Sequence, residues 1–155
     1  IGSSMGGWIS FLIYQKLKYR VVGIITIAAA PDFTEDFFWL NFSDIQKSEL
    51  LSSGKILLPS DYDEPYPITL TLIEDGRKNL ILRTPLNVLC PLRMLQGTED
   101  KSVEIQTAVK LLNHVDCENM HLKLVAKADH SFSSPKCLKI LEQTIHDIML
   151  EVETS

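Results

Sequence analysis

The chain has 155 residues, 45% of them hydrophobic, with a formal net charge of −5 at pH 7. That length and apolar share give a soluble, globular chain with enough material for one core, and an acidic balance with unclustered Lys and Arg argues against a nucleic-acid partner. Cys90, Cys117 and Cys137 are an odd count without metal-ligand spacing, so they read as reduced thiols in an intracellular, cytoplasmic protein, with no metal and no cofactor expected.

In chain order, Gly2, Ser4 and Gly6 spell G-x-S-x-G. This spacing holds a serine hydroxyl at the tip of a sharp strand-to-helix turn, a nucleophile elbow, where side chains two before and two after the serine would clash. The same turn leaves the Met5 N–H at a helix N-terminus, aimed where an oxyanion would form. A chain this long contains the pattern by accident about once in twenty cases, so its context must decide. Residues 5–19 follow with Trp8, Ile9, Phe11, Leu12, Ile13 and Leu17, apolar almost all round, and end in Lys16, Lys18 and Arg20. They predict a buried helix with cations at its C-terminal end, far shorter in apolar run than the roughly 18 residues of a membrane span. Residues 21–30 are a continuous β-rich run, as in a parallel strand buried on both faces. The chain has no initiator methionine and begins at the edge of the elbow, so it reads as the C-terminal portion of a longer protein, with a second oxyanion donor upstream. The truncated sheet is expected to expose an apolar edge, so that alone it would aggregate, associate through that edge as a homo-oligomer, or fold poorly.

Residues 31–91 are too long for a plain crossover and predict an insertion with helices of its own. Residues 34–40 suit a short helix with an acidic first turn. Ser43 as N-cap, Gln46 three residues on and Gly54 as a stop predict a second helix. Residues 55–58 stay ambiguous between strand and loop. Asp61, Asp63 and Glu64 read as a solvated loop, and no role follows for Tyr62 or Tyr66. Residues 68–82 predict a helix, with strand as the rival because the first six are β-rich. Phe37, Phe38, Trp39 and Phe42 read as core of the insertion, with an apolar acyl site as the alternative. Residues 83–91 read as linker.

A short strand over 92–96 leads into Gly97-Thr98-Glu99-Asp100, then a helix over 101–113 with Val103, Ala108, Val109, Leu111 and Leu112 inward. Residues 120–125 alternate as a last strand and run into Asp129-His130. Residues 135–151 form an amphipathic helix with Leu138, Leu141, Ile145, Ile148 and Met149 toward the core. The alternation gives an α/β fold, a parallel sheet with helices on both faces. Sites of such sheets lie past the carboxyl ends of the strands. Ser4, Asp100 and His130 meet that description, in the order Ser, Asp, His. Ser4 is then the nucleophile, His130 the base and returning acid, and Asp100 the group that fixes the histidine tautomer. Asp100 has helix N-cap as its bland alternative, with Glu99 as substitute acid. Asp129 reads as structural, and His114, His121 and His146 as ordinary surface or edge residues.

Residues 2–8, 97–103 and 129–130 resemble the nucleophile, acid and histidine motifs of α/β-hydrolases. Asp63-Glu64-Pro65-Tyr66-Pro67-Ile68-Thr69 with Ile73-Glu74-Asp75-Gly76-Arg77 narrows the likeness to bacterial relatives of the mitochondrial acyl-protein thioesterase and acyl-glucuronide esterase. Glu104, Ala128 and Ser131 depart from that pattern. The resemblance covers essentially the whole chain as a partial α/β-hydrolase domain: elbow, helix and strand over 1–30, a cap insertion over 31–91, and the acid and histidine strands over 92–155. It implies serine hydrolysis of a small-molecule acyl ester or thioester, with the insertion as a cap over the acyl pocket. The rival reading is a non-catalytic hydrolase-like fragment or binding module.

Overall fold

The computed structural model describes residues 1–59 and 65–154. Asp61, Tyr62, Asp63 and Glu64 lie outside the described residues. The described chain divides into two compact units, one of residues 1–31 with 81–155 and one of residues 32–80.

The larger unit is built on a four-stranded parallel sheet. Its strands are β1 (Gly2–Ser3), β2 (Ile24–Ile27), β6 (Leu92–Gly97) and β8 (Met120–Val125), paired in that order. Helix α1 (Met5–Leu17) packs against β1 and β2, and α4 (Ile105–His114) against β6 and β8. All of β2 and β6 is buried, which explains why the first reads as an unbroken β-rich run rather than an alternation. Side chains still alternate between faces. Ile25, Ile27 and Leu95 join Val125, Ala128, Phe132, Cys137 and Ile148 in one cluster with helix α5 (Pro135–Glu153). A short parallel pair, β5 (Leu86–Asn87) with β7 (Val115–Asp116), completes the unit. Residues 83–91, expected as linker, therefore contain a strand, and two residues are too few for any periodicity to announce one.

Three helix expectations are corrected. Helix α1 buries only Gly7, Trp8, Phe11 and Tyr14, leaving Met5, Ile9, Ile13 and Leu17 exposed as a stripe. Helix α4 starts at Ile105 rather than residue 101, with Glu104 as N-cap, and Val109 is exposed. On α5, Leu138 and Met149 face solvent, whereas Cys137, Thr144 and Ile148 are buried. The expected Ala108, Leu111 and Ile148 are buried and Leu141 and Ile145 pack on the core, so the helical period is real but only part of each apolar surface is covered. All three cysteines are free, and burial pushes the Cys90 and Cys117 thiols up. His114 Nε2 sits 3.0 Å from the Ile81 carbonyl and 2.9 Å from that of Thr84, while His121 and His146 are exposed.

Arg93, nearly buried in β6, is matched to α5. Its Nη2 donates to both Glu151 oxygens at 2.5 and 2.7 Å, and its Nη1 to the carbonyl and side-chain oxygens of Asn119. Hydrogen bonds from Asn119, then from Arg93, hold the Glu151 carboxyl below its ordinary value. A carboxyl so depressed stabilises the fold above its unfolded value, and the contribution disappears as pH falls through the folded value. Glu151→Gln is therefore expected to lower stability by about 1–2 kcal/mol near neutrality, a discount from the fully buried case because Glu151 is partly exposed. Urea unfolding of variant and wild type should converge as pH falls through the lowered titration of this carboxyl.

In the smaller unit, a π-helix spans Thr34–Trp39 where a short α-helix is expected. Helix α2 (Asp44–Ser53) carries the expected capping box of Ser43 and Gln46 and ends at Gly54 in the left-handed conformation. Strands β3 (Lys55–Leu58) and β4 (Tyr66–Thr69) pair antiparallel, so the insertion is not purely helical. The 68–82 ambiguity resolves into both answers, because Thr69 ends β4 and caps helix α3 (Leu70–Lys78) by accepting from the Leu72 N–H. Phe42 is buried with Leu50, Ile56, Ile68 and Ile73, flanked by Phe38 and Trp39. Phe37 is exposed.

Candidate active site

Ser4 lies between the carboxyl end of β1 and the first residue of α1, with φ 54° and ψ −119°. This sparsely populated conformation costs about 1–3 kcal/mol and persists only where surroundings over-determine it. Here the Ser4 N–H donates to the Ile27 carbonyl at 2.9 Å, and the Ser4 carbonyl accepts from Gly7 and Ala30. A Cβ on Gly2 would land on the Gly6 carbonyl, and one on Gly7 would come within 2.7 Å of the Ala29 Cβ. Gly6, expected to be required, has open space at its Cβ position. The steric need two after the serine thus falls one residue later, where the helix crosses the strand end. Met5 opens α1, so its N–H has no intrahelical acceptor and remains free to bind an anion.

Asp100 follows β6 with its side chain fully buried, and His130 follows β8 with its side chain 31% exposed. The imidazole Nδ1 lies 2.9 Å from Oδ2 and 3.1 Å from Oδ1 of Asp100. Oδ1 also accepts the N–H groups of Ser102 and Val103 at 2.9 and 2.8 Å. Asp100 is thus not the cap of α4, which is Glu104, but an acceptor on both oxygens. Against a carboxylate the neutral ring must carry its proton on Nδ1, leaving the Nε2 lone pair free. Ser4, Asp100 and His130 all follow the carboxyl ends of strands in one parallel sheet, hence lie along the same edge. Asp100 and His130 are in contact; among the described residues the Ser4 hydroxyl makes no hydrogen bond to His130. Glu99 is exposed and unconnected to the ring.

The histidine loop is held from several sides. Asp129 accepts from the Ser131 hydroxyl at 2.8 Å and the Phe132 N–H at 3.1 Å, bonds that lower its carboxyl below the ordinary range. This is the structural role expected for it, and Ser131, a departure from the resembled pattern, supplies one of the bonds. Phe132 sits buried at φ 52°.

Two residues here escape sequence reasoning. Gln96 is buried at the end of β6 and donates to Asp100 Oδ2. Gly97 lies so near the same loop that a Cβ would meet the Ala128 carbonyl and come within 2.9 Å of that of Asp129. The available signal was a polar residue and a glycine closing the strand. Gly97→Ala should shift the backbone just before His130, destabilising by about 1–3 kcal/mol and lowering kcat/KM about 100-fold. Gly6→Ala, into open space on a helix, should instead hold or raise stability by about 0.5–1 kcal/mol. Denaturant titrations and steady-state kinetics of the two variants test the contrast. A cleft of about 610 Å³ lined by Cys90, Pro91, Cys117 and Asn119 shares no residue with this edge.

No family model matches the chain. It is 29% identical over 157 residues to the mitochondrial palmitoyl-protein thioesterase ABHD10 of Bos taurus, covering 99% of this chain and 51% of that protein. The crystal structure of a hydrolase from Agrobacterium vitis S4 superposes with a TM-score of 0.90 at 36% identity, over 95% of this chain and 59% of that one. This is an α/β-hydrolase fold. Alpha/beta hydrolase domain-containing protein 10 from mouse agrees in fold, with a TM-score of 0.86 at 24% identity over 97% and 61% of the two chains. The resemblance read from the sequence motifs is thus upheld, by homology to these thioesterases and by a parallel sheet flanked by helices. The chain spans about half the length of the curated relatives it matches. Their names place those relatives in mitochondria, which gives the cytoplasmic expectation no support. Among the described residues no helix is long and apolar enough to cross a membrane.

Proposed function

We propose that this protein is a serine hydrolase of carboxylic esters or thioesters, working through an acyl-enzyme on Ser4. The observation that carries the reading is the buried Asp100 carboxylate against His130 Nδ1, at the sheet edge that also bears the strained serine. The name of the homologous thioesterase supports acyl thioesters as the class to try first.

In this mechanism His130 Nε2 takes the Ser4 proton as Oγ attacks the acyl carbonyl carbon. The Met5 N–H donates to the oxyanion of the tetrahedral intermediate. Collapse breaks the bond to the thiolate or alkoxide, which leaves with the proton held on His130. Water then gives a proton to Nε2 and attacks the acyl-serine, and a second collapse releases the carboxylic acid and restores the hydroxyl. Asp100 keeps Nδ1 protonated throughout and stabilises the imidazolium between the two transfers.

The lack of a hydrogen bond between the Ser4 hydroxyl and His130 among the described residues favours the rival, a non-catalytic hydrolase-like module, although such contacts often tighten only once substrate is bound. A panel of acyl esters and thioesters of increasing chain length, offered to the full-length protein, separates the two. Acid release from at least one series is expected; none from any would leave the non-catalytic reading.

A further inference from the structure

We propose that Gln96 is a positioning residue for this relay, tying the Asp100 carboxylate to the backbone and sharing the charge on Oδ2 with the imidazole. The inference rests on the serine-hydrolase reading. Gln96 is fully buried, and its Nε2 lies 3.1 Å from Asp100 Oδ2, 3.0 Å from the Val103 carbonyl and 3.3 Å from that of Gly97. Three acceptors around one nitrogen fix the orientation of the amide, since the flipped form would set its oxygen against all three. The Oε1 atom, by contrast, is buried with no partner among the described residues. An apolar side chain of the same length would fill the site without leaving a carbonyl unpaired, so packing does not explain an amide here. Its donor is what the site uses. The imidazole spans both oxygens of Asp100, which are otherwise held by different means: backbone N–H groups on Oδ1 and Gln96 on Oδ2.

Of the charged groups on the surrounding segments, Asp129 is turned to Ser131 and Phe132, and Lys136 to the Ala126 carbonyl. Glu99, Lys101 and Lys127 are exposed, which leaves Asp100 as the charge in contact with the ring. Removing the Gln96 donor concentrates the Oδ2 charge on the imidazole and strengthens its hold on the second proton.

The test compares full-length wild type with Gln96→Met and Gln96→Glu. Gln96→Met should lower kcat about tenfold with KM unchanged, and move the acid limb of the kcat/KM profile to higher pH. Gln96→Glu should keep activity above the acid limb only while the introduced carboxyl stays protonated, and lose it as that carboxyl ionises beside Asp100. The low-field proton resonance of His130 Nδ1–H reads the same contact without turnover, and should shift in both variants. Unchanged kcat, acid limb and resonance in folded Gln96→Met, or in Gln96→Glu should the first variant fail to fold, would overturn the assignment alone. An inactive wild type whose resonance still moves on substitution would instead sink the hydrolase reading and leave the positioning contact standing.

Discussion

Ser4→Ala in the full-length protein is expected to lower kcat for ester and thioester hydrolysis by about 10⁴- to 10⁶-fold while leaving the fold intact. The structure separates the two effects. What anchors residue 4 is its backbone, through bonds to Ile27, Gly7 and Ala30, all of which alanine keeps. The strained φ of 54° weighs on alanine as it does on serine. The hydroxyl makes no hydrogen bond among the described residues, so its loss removes only the reactive atom. Stability should change by no more than about 0.5 kcal/mol, checked by thermal unfolding beside the kinetics. A variant that turns over like wild type would exclude Ser4 as nucleophile.

Asp100→Asn should cost about 10³- to 10⁴-fold in kcat. The two oxygens of Asp100 have distinct tasks. The one facing the Ser102 and Val103 N–H groups must remain an acceptor, so the asparagine amide nitrogen is driven to the Oδ2 position. There it faces the Gln96 Nε2 and His130 Nδ1 donors. The ring can relieve the conflict by moving its proton from Nδ1 to Nε2, which removes the lone pair that would accept from Ser4, or by giving up its nearer contact for the 3.1 Å one to Oδ1. Because Asp100 is fully buried, the mismatched donors should also lower stability by about 1–3 kcal/mol. A kcat within tenfold of wild type would show that the tautomer does not depend on this carboxylate.

How much of this was legible follows from what each signal encodes. The doubly buried strand around Ile24–Ile27 announced itself as a continuous β-rich run, since burial on both faces abolishes alternation. The cap of α2 was fully specified by Ser43, Gln46 and Gly54, because a capping box and an αL stop are local chemistry. Asp100 and His130, thirty residues apart, were legible as a pair because strand order in a parallel sheet brings successive strand ends to one edge. The exposure of Ile9, Val109, Leu138 and Met149 was not legible, since a helical period gives the stripes but not which of them is covered. Nor were the contacts of Gln96, which the turn after β6 wraps with Asp100 and Val103, or of Gly97, which the loop at Ala128 and Asp129 approaches from about thirty residues downstream. Gly6 shows the reverse error: the motif requires it, yet the close contact falls on Gly7.

The central claim is that the hydroxyl of residue 4 is activated by His130, and mass spectrometry of the full-length protein after reaction with a fluorophosphonate probe tests it most directly. The expected product carries one phosphonyl group, on Ser4, and His130→Ala abolishes it. Modification at Ser3 or Ser10 instead, or labelling of Ser4 that persists without His130, would contradict the account.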